Sequence, residues 1–148
     1  LGFHAPFERA LSEHPVRRLI ADYDKRRKTV LLADDLATLG LAPNSIAAIP
    51  QCTQLPSCRD EAAALGSLYV LEGATLGGQV LLPMVERRLQ LTRQSGASYL
   101  GSYGSSVDSM WQRFCATVED WCTDDSRRTV AAAAAVATFE SLEAWMCA

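Results

Sequence analysis

Leu65-Gly66-Ser67-Leu68-Tyr69-Val70-Leu71-Glu72-Gly73-Ala74-Thr75-Leu76-Gly77-Gly78-Gln79-Val80-Leu81 is the stretch whose reading decides the fold. Its apolar run suits an unbroken helix, yet Gly73, Gly77 and Gly78 interrupt it. A glycine inside a helix costs about 0.5–1 kcal/mol relative to alanine, so three cost about 2–3 kcal/mol unless the missing side chains make room for something. Gly73 and Gly77 are four positions apart and share a face, with Gly78 beside them, which leaves a patch of bare backbone about one turn long. Either a second helix packs closely there, as small-xxx-small spacing permits, or a flat ligand approaches the backbone.

The chain has 148 residues and 49% hydrophobic content, enough for one domain with a real core and too little for two, so residues 1–148 read as a single unit. A net charge of −3 gives no electrostatic case for nucleic acid or for an anionic membrane surface. The basic clusters are Arg17-Arg18 and Lys25-Arg26-Arg27-Lys28; with Asp22 and Asp24 just upstream, the second reads as a solvated helix face. Five cysteines without a CxxC, and no histidines at metal-site spacing, argue against structural zinc. They fit free thiols in a reducing cytoplasm, with Cys115 and Cys122 on a core-facing stripe, and no signal peptide is visible. Residues 62–84 approach transmembrane length, but Glu72 near the middle would cost about 2.5–3.5 kcal/mol there. A buried helix of a soluble core is the more economical reading.

No strand-length apolar alternation appears, so the expected class is all-α. Residues 1–12 carry Phe3, Phe7, Ala10 and Leu11 at helical spacing, closed by Pro15. Residues 16–41 read as a helix in two parts ending at Gly40, with Val30, Leu31, Leu32, Leu36 and Leu39 making apolar contacts. Residues 41–60 hold three prolines and form the main irregular connector. Asp60 caps the glycine-containing helix, Glu61 complements its dipole, and Pro83 should bend or end it. A turn over residues 96–104 carries Tyr99 and Tyr103. Ser105 with Asp108 resembles a capping box, and Val107, Met110, Trp111, Phe114, Val118, Trp121 and Cys122 follow as the clearest amphipathic stripe. Asp124 and Asp125 start the last helix, which contains an alanine run.

The string Tyr69-Val70-Leu71-Glu72-Gly73-Ala74-Thr75-Leu76-Gly77-Gly78-Gln79-Val80-Leu81 resembles the distal heme-binding helix of heme oxygenases, most closely the bacterial, phytochrome-associated branch. Gly2-Phe3-His4-Ala5-Pro6-Phe7-Glu8 is similar to that branch's second helix. Residues 137–145, Ala-Thr-Phe-Glu-Ser-Leu-Glu-Ala-Trp, are similar to its last. The resemblance implies a multi-helical bundle with a glycine-kinked distal helix, heme as substrate and cofactor, and ring opening to biliverdin, carbon monoxide and ferrous iron. It also implies O2, electrons from a ferredoxin or flavoprotein reductase, and a phytochrome as acceptor of biliverdin. By the same resemblance Gly73 and Gly77 would lie on the porphyrin as the catalytic face, joined in binding heme by Gly78, Tyr69, Arg113 and Phe139. Tyr69 and Arg113 would reach the propionates, and Phe139 would pack in the pocket.

Where animal-type enzymes carry an aspartate after the first glycine, this chain has Ala74, so proton delivery must take another route. The iron ligand is unassigned. His14 precedes Pro15 at a helix end and reads as a surface residue, and His4 with Glu8 loosely mimics the family's proximal motif but belongs to the segment that matches the second helix. The expectation is a domain lacking its proximal-histidine helix. Glu72 reads as a solvent-facing residue at the pocket rim. Two alternatives stay open: a non-enzymatic binder of heme or another tetrapyrrole on the same fold, and a helical interaction module whose glycine patch is a dimer contact.

Overall fold

The computed structural model describes residues 1–147, in which six α-helices are joined by loops and short 3-10 turns, with no strand among the described residues. They are α1 (His4–Ala10), α2 (Thr29–Thr38), α3 (Pro43–Ala47), α4 (Glu61–Leu89), α5 (Val107–Trp121) and α6 (Asp125–Met146). The molecule is all-α, as the periodicity requires.

The glycine-containing segment is α4. The Asp60 carboxylate accepts from Ala63 N at 2.9 Å and Glu61 lies in the first turn, so both start signals act as expected. The far end departs from expectation, because α4 runs through Pro83 to Leu89 and stops at Gln90 in the left-handed region, φ 57°. Pro83 is exposed, so the carbonyl that loses its helical donor can turn to solvent instead of ending the helix.

α6 starts at its Asp124 cap, which accepts from Arg127 N. It crosses α4 at Gly66, where an added Cβ would stand 2.0 Å from the Ala131 carbonyl oxygen and 2.9 Å from its Cα. The close helix approach that small residues allow is therefore made by Gly66. Phe7 of α1 with Phe3 and Leu11 at its two ends, Val16 and Ile20 of the following segment, Leu65, Leu68 and Leu71 of α4 and Phe114 of α5 form the core. The α5 stripe holds, with Val107, Met110, Phe114 and Cys122 buried. Its start differs: a 3-10 turn, Gly104–Ser106, leads into the helix, and Ser106 makes no side-chain cap, so the Ser105–Asp108 box does not form.

Residues 16–41 are less helical than their spacing suggests. Two 3-10 turns, Pro15–Arg18 and Tyr23–Arg26, precede α2. Gly40 does close α2, at φ +93°, with Gly40 N donating to Ala37 O and Leu41 N to Leu36 O, both at 3.0 Å. Val30 and Leu39 are exposed, not packed. The residue α2 buries is Asp35, whose carboxylate accepts from the backbone of Ser98 at 2.7 Å and Tyr99 at 2.8 Å. The start of α2 lacks its own cap and borrows Glu8 of α1, whose Oε1 accepts from the backbone of Lys28 and Thr29.

The crossing gives a direct comparison between two glycines of one helix. Gly66→Ala is expected to lower stability by about 3 kcal/mol or more, because backbone must move to admit the methyl group. Gly77→Ala, whose Cβ meets nothing within 4 Å, is expected to raise it by about 0.5–1 kcal/mol through helix propensity. Urea unfolding of the two variants against the parent chain measures both.

Candidate active site

The two long sides of α4 differ in chemistry. Leu68, Leu71, Glu72 and Thr75 point into the protein, while Tyr69, Gly73, Gly77, Val80 and Met84 fall on the opposite side by helical periodicity. On that outer side Gly77 is exposed backbone with open space above it. An added Cβ at Gly73 would touch only the Trp111 ring, at 3.6 Å. The Tyr69 ring lies against Trp111 of α5, centroids 4.9 Å apart, and forms an apolar wall beside the bare turn. Val80 (70% exposed), Leu81 and Met84 continue the apolar strip toward the end of the helix. A flat apolar ligand fits such a strip, because no side chain stands between it and the peptide groups of Gly77.

The inner side is electrostatic. Glu72, expected at the solvent-facing rim, is only 3% exposed. Its Oε2 receives Arg26 Nη1 at 2.5 Å, the Tyr103 hydroxyl donates to the carboxylate, 2.9 Å from Oε1 and 3.0 Å from Oε2, and Lys28 Nζ stands 3.7 Å from Oε1. Arg26 also donates to Asp22 and to the Met110 carbonyl. The solvated reading of residues 25–28 is thus corrected for two of the four, since Arg26 and Lys28 are buried while Lys25 and Arg27 face solvent. A carboxylate in the packed part of an apolar helix has to find cations, and this cluster lies within reach once the 3-10 turn folds it inward. Burial lowers the Lys28 pKa to about 8 despite the attraction of Glu72, and burial together with Glu72 pushes that of Tyr103 up.

Neither histidine faces the bare turn. His4 is buried in α1 with Nε2 3.3 Å from the Tyr99 hydroxyl, and lines a cavity with Leu68, Leu71 and Glu72, the side of α4 opposite Gly77. Burial lowers its pKa to about 4, outweighing Glu8, so the ring is neutral at pH 7. His14 accepts from Val16 N through Nδ1 and caps a 3-10 turn.

Of the six candidate heme contacts, the structure brings Gly73, Gly77 and Tyr69 together and leaves three apart. Gly78 faces the loop after α4, where an added Cβ would be 2.5 Å from the Leu100 carbonyl oxygen. Arg113 points away from Trp111 and donates to Asp22 at 2.9 Å. Phe139 is exposed on α6 beyond the Ala131 crossing, toward the point where Ser141 Oγ donates to Gln54 O ahead of α4. That is the opposite end of α4 from Gly77. Trp111 is the wall residue that sequence reasoning assigned only to the core stripe; its spacing gave no sign that it would also cover Gly73.

Residues 1–148 match the family model described as Heme oxygenase. A curated protein named Heme oxygenase, from Xanthomonas campestris pv. campestris (strain 8004), is 34% identical over 138 residues, which covers 91% of this chain and 76% of that protein. No solved structure matches the chain significantly.

His4 makes stability depend on acid in a defined window. Its folded pKa of about 4 lies below the ordinary 6.5, so the unfolded chain binds the extra proton first and stability falls as pH drops through that interval. The loss is on the order of 3 kcal/mol. Urea unfolding at a series of pH values is expected to show this slope in the parent chain and a shallower one in His4→Gln.

Proposed function

This chain belongs to the heme oxygenase family, and we propose that it opens heme to biliverdin, carbon monoxide and ferrous iron with O2 and electrons from a ferredoxin or flavoprotein reductase. The observation that carries this reading is the open, side-chain-free turn at Gly77 inside an otherwise apolar strip. Heme supplies the iron that activates oxygen and the ring that is oxidised; the chain supplies position and a dry surface. The backbone of residues 73–77 lies against the ring face, the Tyr69–Trp111 pair blocks one edge, and Val80 and Met84 keep the strip apolar toward the other. Ala74 offers no acid at its position and Glu72 faces the other side of the helix, so protons come from solvent or from groups on other elements.

In this reading neither His4 nor His14 is the iron ligand, because both are engaged elsewhere. The reaction is cytoplasmic and the biliverdin passes to a phytochrome. The same engagement of the two histidines favours a second reading, a tetrapyrrole binder on this fold without turnover.

Titrating the chain with hemin in the presence of imidazole, as a stand-in for the missing ligand, tests both. The expected result is a saturable 1:1 Soret band that ascorbate and O2 convert to biliverdin absorption. The band is unchanged in His4→Gln, and Gly77→Leu lowers the conversion roughly tenfold or more without lowering the unfolding temperature. Binding without conversion supports the second reading. A band lost in His4→Gln, or a conversion unaffected by Gly77→Leu, overturns the placement of the ligand.

A further inference from the structure

The inner side of α4 carries a feature that heme chemistry does not use. Lys28 is 2% exposed, and its ammonium has three protons to donate, yet no protein acceptor lies within hydrogen-bond distance of Nζ. The Glu72 Oε1 is 3.7 Å away and the centre of the Tyr103 ring is also at 3.7 Å, which gives Nζ electrostatic company on two sides without a hydrogen bond on either. A buried charge whose donors stay unmet costs several kcal/mol, so an acceptor has to be supplied. Lys28 borders a cavity of about 20 Å³ between α1 and α4, lined also by Glu72, Glu8, His4, Leu68 and Leu71. A water molecule needs room for itself and about two to four polar partners, and this space offers both.

We propose that this cavity is a binding site for a single ordered water, which accepts from Lys28 Nζ and donates to the carboxylates of Glu8 and Glu72. The two leucines close the apolar side of the site, and the carboxylates on the other suit a molecule that returns two protons. Arg26, Arg27 and Lys28 border the space together with the carboxylates of Glu8 and Glu72, so a ligand of either charge meets its like, and a neutral donor-acceptor suits the mixed lining. The water joins the anchor of Glu72 to Glu8, the residue that caps α2, and so links α1, α2 and α4 through one polar contact. None of this depends on heme binding.

A crystal structure of the chain at a resolution that shows ordered solvent is the test, with water-to-protein NOEs from the wild-type protein in solution as the second measurement. The expected result is one peak at about 2.7–3.2 Å from Lys28 Nζ and from an oxygen of Glu8 or Glu72, with slowly exchanging NOEs to the Leu68 and Leu71 side chains. Lys28→Met is expected to lose those NOEs. No peak at the site, or Nζ bonded directly to Glu72 with the cavity closed, overturns the proposal. So does the absence of the NOEs in the wild-type protein, whatever the folding of the variant.

Discussion

A carboxylate in the middle of the longest helix constrains everything that packs around it. Glu72 is removed from water, and an isolated charge there would cost more than the fold can carry. Its partners come from separate parts of the chain: Arg26 and Lys28 from the segment before α2, and Tyr103 from the loop before α5. Arg26 then reaches the Met110 carbonyl of α5 and the Asp22 carboxylate, so one buried cluster fixes the relation of α4, α5 and the residues 22–28. Because all of this anchoring lies on one side of α4, the other side is left without polar obligations and remains apolar and open.

The glycines of α4 divide accordingly. Gly66 admits α6, Gly78 admits the loop at Leu100, Gly73 lies under the edge of Trp111, and Gly77 meets nothing. The close helix approach is thus made outside the glycine patch, at Gly66, while inside the patch Gly78 packs against a loop. Close packing accounts for two glycines, and the turn at Gly77, bounded by the Gly73–Trp111 contact, stays open. This division explains why a helix long and apolar enough to cross a membrane has a buried first half and an apolar exposed second half. The first half is core and the second is the surface we propose for heme.

What could be read in advance was whatever depends on near neighbours in sequence. The caps at Asp60 and Asp124, the Gly40 turn and the α5 stripe all follow from residues within a few positions of each other. What could not be read depends on distant partners: Arg26 is 46 residues from Glu72, Glu8 is 20 from Lys28, and Asp35 is 63 from Ser98. Judged by composition, residues 25–28 look solvated, and only the fold shows that two of them turn inward. The site divides the same way. Gly73, Gly77 and Tyr69 share a helix face by periodicity alone, whereas the positions of Arg113 and Phe139 depend on which sides of α5 and α6 the neighbouring elements cover.

A double-mutant cycle between Glu72→Leu and Arg26→Met, read by urea unfolding, tests the central claim most directly. If the buried pair is the anchor, each single change takes a main partner from a buried charge and costs about 3–5 kcal/mol, while the double change costs less than the sum by about 2 kcal/mol or more. Additive losses, agreeing within about 0.5 kcal/mol, would contradict the account, because the two charges would then not depend on each other.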